Sequence, residues 1–305
     1  MASAKAVLEE IHPNLAVHPR DTNNYILGRI GPHNVVLACL PSGVYGTTSA
    51  AVVATHMLYT FTRIRINLMV GIGGGVPSVK NDIRLGDVVV SSPTRGYGGV
   101  IQYDFGKNIG HKIEMTGVLN KPPQSLLVAI ARLRTEHLIG GNKISYYVDE
   151  MLTNNPLMGS DFPDLCPDQD RLFEADYDYV GPAATCDQCD KTREVVRLPR
   201  TTRSPKIHYG LIASGNQVMR HGMTRDQLAN DMDILCFEME AAGLMDNFPC
   251  LVVRGICDYA DSHKSKDWQG YAAATAAGYV KDLLSVMSVA QIYSIPVVVP
   301  SLSGD

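Results

Sequence analysis

Apolar residues in this chain fall into short unbroken runs separated by helix-spaced stretches. Val35–Leu40, Asn67–Ile72, Asp87–Ser92, Ile207–Ala213, Ile234–Met239 and Leu251–Ile256 are rich in Val, Ile and Leu, and each is predicted to be a buried strand. Thr47–Phe61, Pro123–Leu138, Ile144–Leu152 and Thr224–Asn230 carry helical spacing, with Thr47, Thr48 or Ser49 available to cap the first of them. An Ala-rich stretch, Trp268–Ser294, is predicted to run as one long helix. Ala2–Ile11 is also helical in character, but no start signal precedes it. Alternating strands and helices define an α/β fold with a mainly parallel sheet covered on both faces. Ligands of such sheets sit beyond the carboxyl ends of the strands, so the residues that follow the strands are the ones to search.

Composition narrows the picture. The 305 residues are 45% hydrophobic and 19% charged, which is globular. Residues 1–294 read as one domain with a surface insertion at about 153–206, and 295–305 as a C-terminal tail. The insertion has no period and many turn residues. Nine acidic residues against one basic lie between Asp161 and Asp190, and six basic against one acidic between Lys191 and Lys206. Blocks of opposite charge this close are expected to fold on each other as a solvated surface, with a lid over the site as the alternative. A net charge of −4 argues against a general polyanion binder, so no nucleic-acid partner is expected. No apolar run is long enough to cross a bilayer, the N-terminus lacks a signal-peptide core, and seven cysteines are scattered without a framework. The expectation is a cytoplasmic protein with no membrane partner.

Three motifs carry candidate chemistry. Gly71-Ile-Gly-Gly-Gly-Val-Pro77 follows a strand. It departs from the dinucleotide fingerprint at Val76 and from the Walker loop in lacking a Lys-Ser/Thr pair. It reads as a loop that approaches a ligand closely, or as a bend needed for packing. Cys186-Asp-Gln-Cys189 supplies half a zinc site, with only Cys166 and His208 as nearby supplements, so no metal and no cofactor are expected. In Cys236-Phe-Glu-Met-Glu-Ala-Ala-Gly243, Glu238 and Glu240 stand at a strand end, and the next strand ends at Asp258. Adjacent strand ends would bring Glu240 and Asp258 to a common crevice, where two carboxyl groups can divide ionised and protonated roles. A strand-end cap plus a surface acid is the plainer reading of the same residues.

Phe237-Glu-Met-Glu-Ala-Ala-Gly243 followed by Val253-Arg-Gly-Ile-Cys-Asp258 resembles the signature of the purine nucleoside phosphorylase and methylthioadenosine/S-adenosylhomocysteine nucleosidase superfamily. Gly71–Val76 with Leu85–Val90, and Gly210–Gly215, resemble it in the same order. More narrowly, residues 3–290 resemble the fungal nucleoside phosphorylase-like domain, often fused to NACHT, ankyrin or TPR regions. The resemblance implies a three-layer α/β/α sandwich around a mixed, partly barrel-like sheet, a purine nucleoside or nucleotide as the small-molecule partner, and a homo-oligomer. Glu240 would hold the ribose hydroxyls. Asp258 would protonate purine N7, provided partial burial keeps its carboxyl neutral. Met239 would pack on the sugar, Val218 and Met219 would line the base site, and Gly73, Gly74 and Glu238 would complete the substrate-binding set. Phosphorylases of the family use arginines beside the glycine segment. Here Arg63 and Arg65 lie at the other end of the strand, which implies hydrolysis, with phosphorolysis as an alternative. The family also begins with a strand carrying an acid that activates water, whereas this sequence aligns from inside the helix that follows. That implies unpaired sheet edges, and a catalytically impaired nucleoside-binding or signalling module is the other alternative.

Overall fold

The structure, a computed structural model, describes residues 1–109, 112–161, 169–179, 186–202, 204–264 and 266–298. Its centre is a mixed sheet of β4 (Leu68–Gly75), β5 (Val88–Ser91), β6 (Val100–Gln102), β9 (Ile207–Ser214), β10 (Ile234–Glu238) and β11 (Leu251–Asp258). The order is β10-β4-β11-β5-β9-β6, and a further β9–β10 pairing closes five of the strands into a barrel-like ring. The pairs β4/β11, β5/β9, β6/β9 and β9/β10 are parallel, whereas β4/β10 and β5/β11 are antiparallel. Successive strand residues face opposite layers. Val88, Val90, Leu251 and Val253 pack under α3 (Gln124–Gly140), α4 (Ile144–Asn154) and α6 (Gln269–Ser285). Val89, Val252, Ile212 and Leu235 face Ala50 and Ala54 of α2 (Thr47–Thr60). Two covered faces explain why these strands are apolar without alternation.

Several local expectations are corrected. Helix α1 (Ala2–Ala6) is short, and Glu10–His12 forms β1, antiparallel to β2 (Ile26–Ile30), which in turn pairs with β3 (His33–Leu37). Tertiary pairing overrides the helical propensity of that segment. Thr47, Thr48 and Ser49 do not cap α2. Its N-cap is Gly46, and Asn216 Oδ1 accepts from Thr47 N at 3.0 Å. The long C-terminal helix breaks into α6 and α7 (Val289–Ser294), because Ser288 and Gln291 form a capping box that starts a new helix. A short hairpin, β7 (Lys107–Ile109) with β8 (Lys112–Glu114), and helix α5 (Gly222–Met232) are the remaining described strands and α-helix.

One edge of β4 is exposed in an unusual way. Its register with β11 runs from Leu68 to Gly74, but on the other side, among the described residues, only Gly74 and Gly75 pair, with β10. The remaining edge faces a cavity of about 1760 Å³, also lined by β3 residues His33–Leu37. The unpaired edge implied by the resemblance is therefore present. The cavity exceeds the roughly 300–1,000 Å³ of a small-molecule pocket, because this open edge and the candidate site form one continuous space.

Candidate active site

The expectation that β10 and β11 are neighbours is corrected: β4 lies between them. The glycines of β4 allow the three strand ends to converge. At Gly73 a Cβ would lie 2.5 Å from Cys236 Sγ, and at Gly74 it would lie 2.7 Å from Asp258 Oδ1 and 2.9 Å from Ala260 N. No side chain fits at either position. Gly71–Gly75 are strand residues, not a loop, and their smallness serves close approach between strands. Gly73, Gly74, Val218, Met219, Glu238, Met239, Glu240 and Asp258 all line the one cavity. Val218 is half exposed, while Met219 packs against the cluster containing Phe237 and Tyr103.

Glu238 and Glu240 differ sharply. The Glu238 side chain is 1% exposed and accepts N–H bonds from Glu240 and Ala241, both at 3.1 Å, as well as one from Arg254 Nη2. Its oxygens are occupied, so it braces the turn after β10. Glu240 keeps 14% exposure and receives Arg254 Nη2 at 3.2 Å. Burial, with Glu238 adding to it and Arg254 opposing, raises the Glu240 carboxyl above its ordinary range. Arg254 was not anticipated. Its signal was a single charge inside the apolar run Leu251–Ile256, and a buried charge requires a partner.

Asp258 is equally well supplied with donors. Its Oδ1 accepts the Ala260 N–H at 2.8 Å, and Lys264 Nζ lies 3.1 Å from Oδ1 and 3.2 Å from Oδ2. Ala260 adopts a left-handed φ of 52°, a conformation that costs a non-glycine residue about 1 kcal/mol. The loop carrying Lys264 is held from both sides. Buried Arg225 donates to Tyr259 O at 2.7 Å, and from the insertion Arg197 donates to Tyr259 Oη at 2.9 Å. Phe173 stacks on His263 with ring centroids 4.3 Å apart, and Tyr179 N donates to Ser262 Oγ at 2.8 Å. The insertion's charge blocks pair with each other, Arg171 with Glu194 at 3.1 Å, Arg197 with Asp170 at 3.0 Å, and Arg193 with Glu174. The insertion thus braces the Asp258 loop as well as forming a surface.

Among the described residues no group of three His, Cys, Asp or Glu side chains could hold a metal ion. Burial pushes the Cys186 thiol up to about 12, Cys166 lies outside the described residues, and His208 is bonded to Asp87 at 2.9 Å. No helix of the described residues is long and apolar enough to cross a membrane.

The chain belongs to the phosphorylase superfamily, whose sequence profile matches residues 3–285. It is 47% identical over 289 residues to a nucleotide-binding leucine-rich repeat (NLR)-like protein of Hyaloscypha variabilis, covering 94% of this chain and 28% of that protein. It is 28% identical over 92 residues to the 5′-methylthioadenosine/S-adenosylhomocysteine nucleosidase of Mycobacterium bovis, 28% of this chain and 36% of that enzyme. The chain thus spans about a third or less of the length of these relatives. In fold it is similar to the corresponding nucleosidase of Neisseria meningitidis in complex with methylthio-immucillin-A, with a TM-score of 0.56 and 15% identity over 94% of this chain and 96% of that one. It is likewise similar to the futalosine hydrolase of Helicobacter pylori, with a TM-score of 0.56 and 16% identity over 93% and 92% of the two chains.

Proposed function

We propose that this chain cleaves the N-glycosidic bond of a purine nucleoside or nucleotide, with water as the nucleophile. The observation that carries the reading is the placing of Glu240 and Asp258 on one cavity beside the side-chain-free wall of Gly73 and Gly74. Glu240, ionised and oriented by Arg254, accepts hydrogen bonds from the ribose 2′- and 3′-hydroxyls. Asp258 faces the base and serves the ring nitrogen that gains basicity as the bond breaks. Met239 packs on the sugar, and Val218 and Met219 border the base. Water is favoured over phosphate because Arg65 precedes β4, at the end of the strand opposite Gly73, and donates to Ile295 O. Arg254 is committed to two carboxylates.

The test is release of free base from adenosine, inosine, AMP and ATP, with and without phosphate. Base released at equal rates in both buffers supports the reading, and strict dependence on phosphate replaces it with phosphorolysis. The unpaired edge of β4 favours a second reading, a nucleoside-binding module without turnover. Calorimetry that finds binding in the absence of base release would establish it.

A pH effect follows from Glu240. Its ionised form binds the hydroxyls, and its carboxyl is raised above the ordinary value of 4.5. Nucleoside affinity is therefore expected to fall as pH drops through a midpoint above 4.5. Glu240→Gln should bind weakly at every pH and lose that midpoint. Calorimetric titration across pH checks both.

A further inference from the structure

We propose that Lys264 is a positioning residue of this site: it keeps Asp258 in the carboxylate form and supplies, through it, the proton that leaves with the base. This inference rests on the N-glycosidic reading above.

A carboxyl group protonates a leaving base only if a proton is available to it when the bond breaks. The surroundings of Asp258 are built for its carboxylate. The Ala260 N–H points at Oδ1, and the Lys264 ammonium lies within hydrogen-bond distance of both oxygens. An ammonium has three donors and no acceptor, and the Cys257 thiol also donates to Oδ2 at 3.4 Å, so the contacts of Asp258 are those of a carboxylate acceptor. The other titratable groups around it do not take its place. Cys236 of β10 and Cys257 of β11 have thiols pushed up by burial, so both stay neutral. Asp261, in the same loop, is bonded to Arg225 and to the His263 N–H. Glu238, Glu240 and Arg254 are bonded to one another. The Cys257 thiol on Oδ2 is neutral and weakly acidic, so the charged proton donor on this carboxylate is Lys264, whose side chain is three-quarters buried beside the cavity.

The transfer balances as follows. The electron pair of the breaking C1′–N bond moves onto the base. Lys264 gives one N–H proton to Asp258, and Asp258 gives its O–H proton to the ring nitrogen. Asp258 returns to a carboxylate and Lys264 is left as the neutral amine. Water adds its hydroxyl to C1′, and the proton it sheds to solvent restores the ammonium.

The experiment is kcat/KM for base release across pH for the wild type, Lys264→Met and Lys264→Arg, with nucleoside binding measured to confirm folding. The wild type should hold its activity through neutral pH, fall at acid pH as Glu240 is protonated, and fall at alkaline pH once the ammonium proton is lost. Lys264→Met should lose about 10²-fold or more at neutral pH and recover towards acid, because the carboxyl must now carry the proton itself. Lys264→Arg keeps the counter-charge but cannot release a proton, and it should show the same neutral loss. If Lys264 only holds the loop, Lys264→Arg keeps the wild-type profile, and the alkaline limb of Lys264→Met stays in place or moves upward. Either result overturns the role of Lys264 while leaving the cleavage reading standing. A wild type that releases no base at any pH overturns both.

Discussion

Asp258→Asn lowers kcat for base release by about 10²–10⁴-fold, the usual cost of removing a general acid or base. Asparagine matches the shape of aspartate and retains an oxygen for the Ala260 N–H, which now sits 2.8 Å from Oδ1. The loop should keep its conformation, and the nucleoside should still find Glu240, Met239 and the glycine wall. The variant lacks a group that can pass a proton to the ring nitrogen and leaves the Lys264 ammonium without its carboxylate. The loss should therefore fall on kcat with KM nearly unchanged, the pattern of an interaction made only in the transition state. Steady-state kinetics at fixed pH checks this. A rate within a few-fold of wild type would remove Asp258 from the chemistry.

The second large effect is on stability. Arg254 is 4% exposed in its side chain and is the cation shared by Glu238 and Glu240. Arg254→Met keeps most of the apolar stem and leaves two carboxylates together in a buried site. Breaking a buried ion pair from one side costs about 3–5 kcal/mol, because the remaining charge is uncompensated. Urea unfolding should show that loss at neutral pH. It should shrink at lower pH, since protonation relieves the stranded carboxylates in the folded state. Adding Glu238→Gln should restore part of the stability, because an amide can still accept the N–H groups of Glu240 and Ala241. A loss below about 1 kcal/mol, the range of an exposed pair, would mean that water reaches this cluster freely.

The parts of the fold that were legible in the sequence are those with a single physical cause. Strands β4, β5, β9, β10 and β11 lie between two helical layers, so their apolar runs stand out. Strand β3 was legible as Val35–Leu40, with its start two residues earlier in the structure, but β1 and β2 were not, because they are short and partly exposed, and the segment containing β1 has helix-forming residues that pairing with β2 overrides. Strand order is not written in local pattern, which is why β4 between β10 and β11 was not foreseen. The glycine segment was visible as glycine-rich, but its close approach to Cys236 and Asp258 appears only when three strands are brought together. The break before α7 had a readable signal in Ser288-Val-Ala-Gln291 that the Ala-rich composition around it masked.

At the candidate site, Glu238, Glu240 and Asp258 are picked out by their position after strands and by the resemblance they carry, and the structure brings them to one cavity. Arg254 was findable as an isolated charge in a buried run. Lys264 was not, because a lysine in a polar loop has no distinguishing context until the loop folds back on Asp258. The split between Glu238, saturated by Arg254 and backbone amides, and Glu240, open to the cavity, also depends on three-dimensional placement.

The central claim is hydrolysis of a glycosidic bond at the Glu240–Asp258 cavity. Its most direct test is turnover of a purine nucleoside in phosphate-free ¹⁸O-labelled water, with mass analysis of both products. The account predicts free purine base in step with a sugar carrying one labelled oxygen at C1. Release of base without label in the sugar, or no base released by a chain that binds the nucleoside, would contradict it.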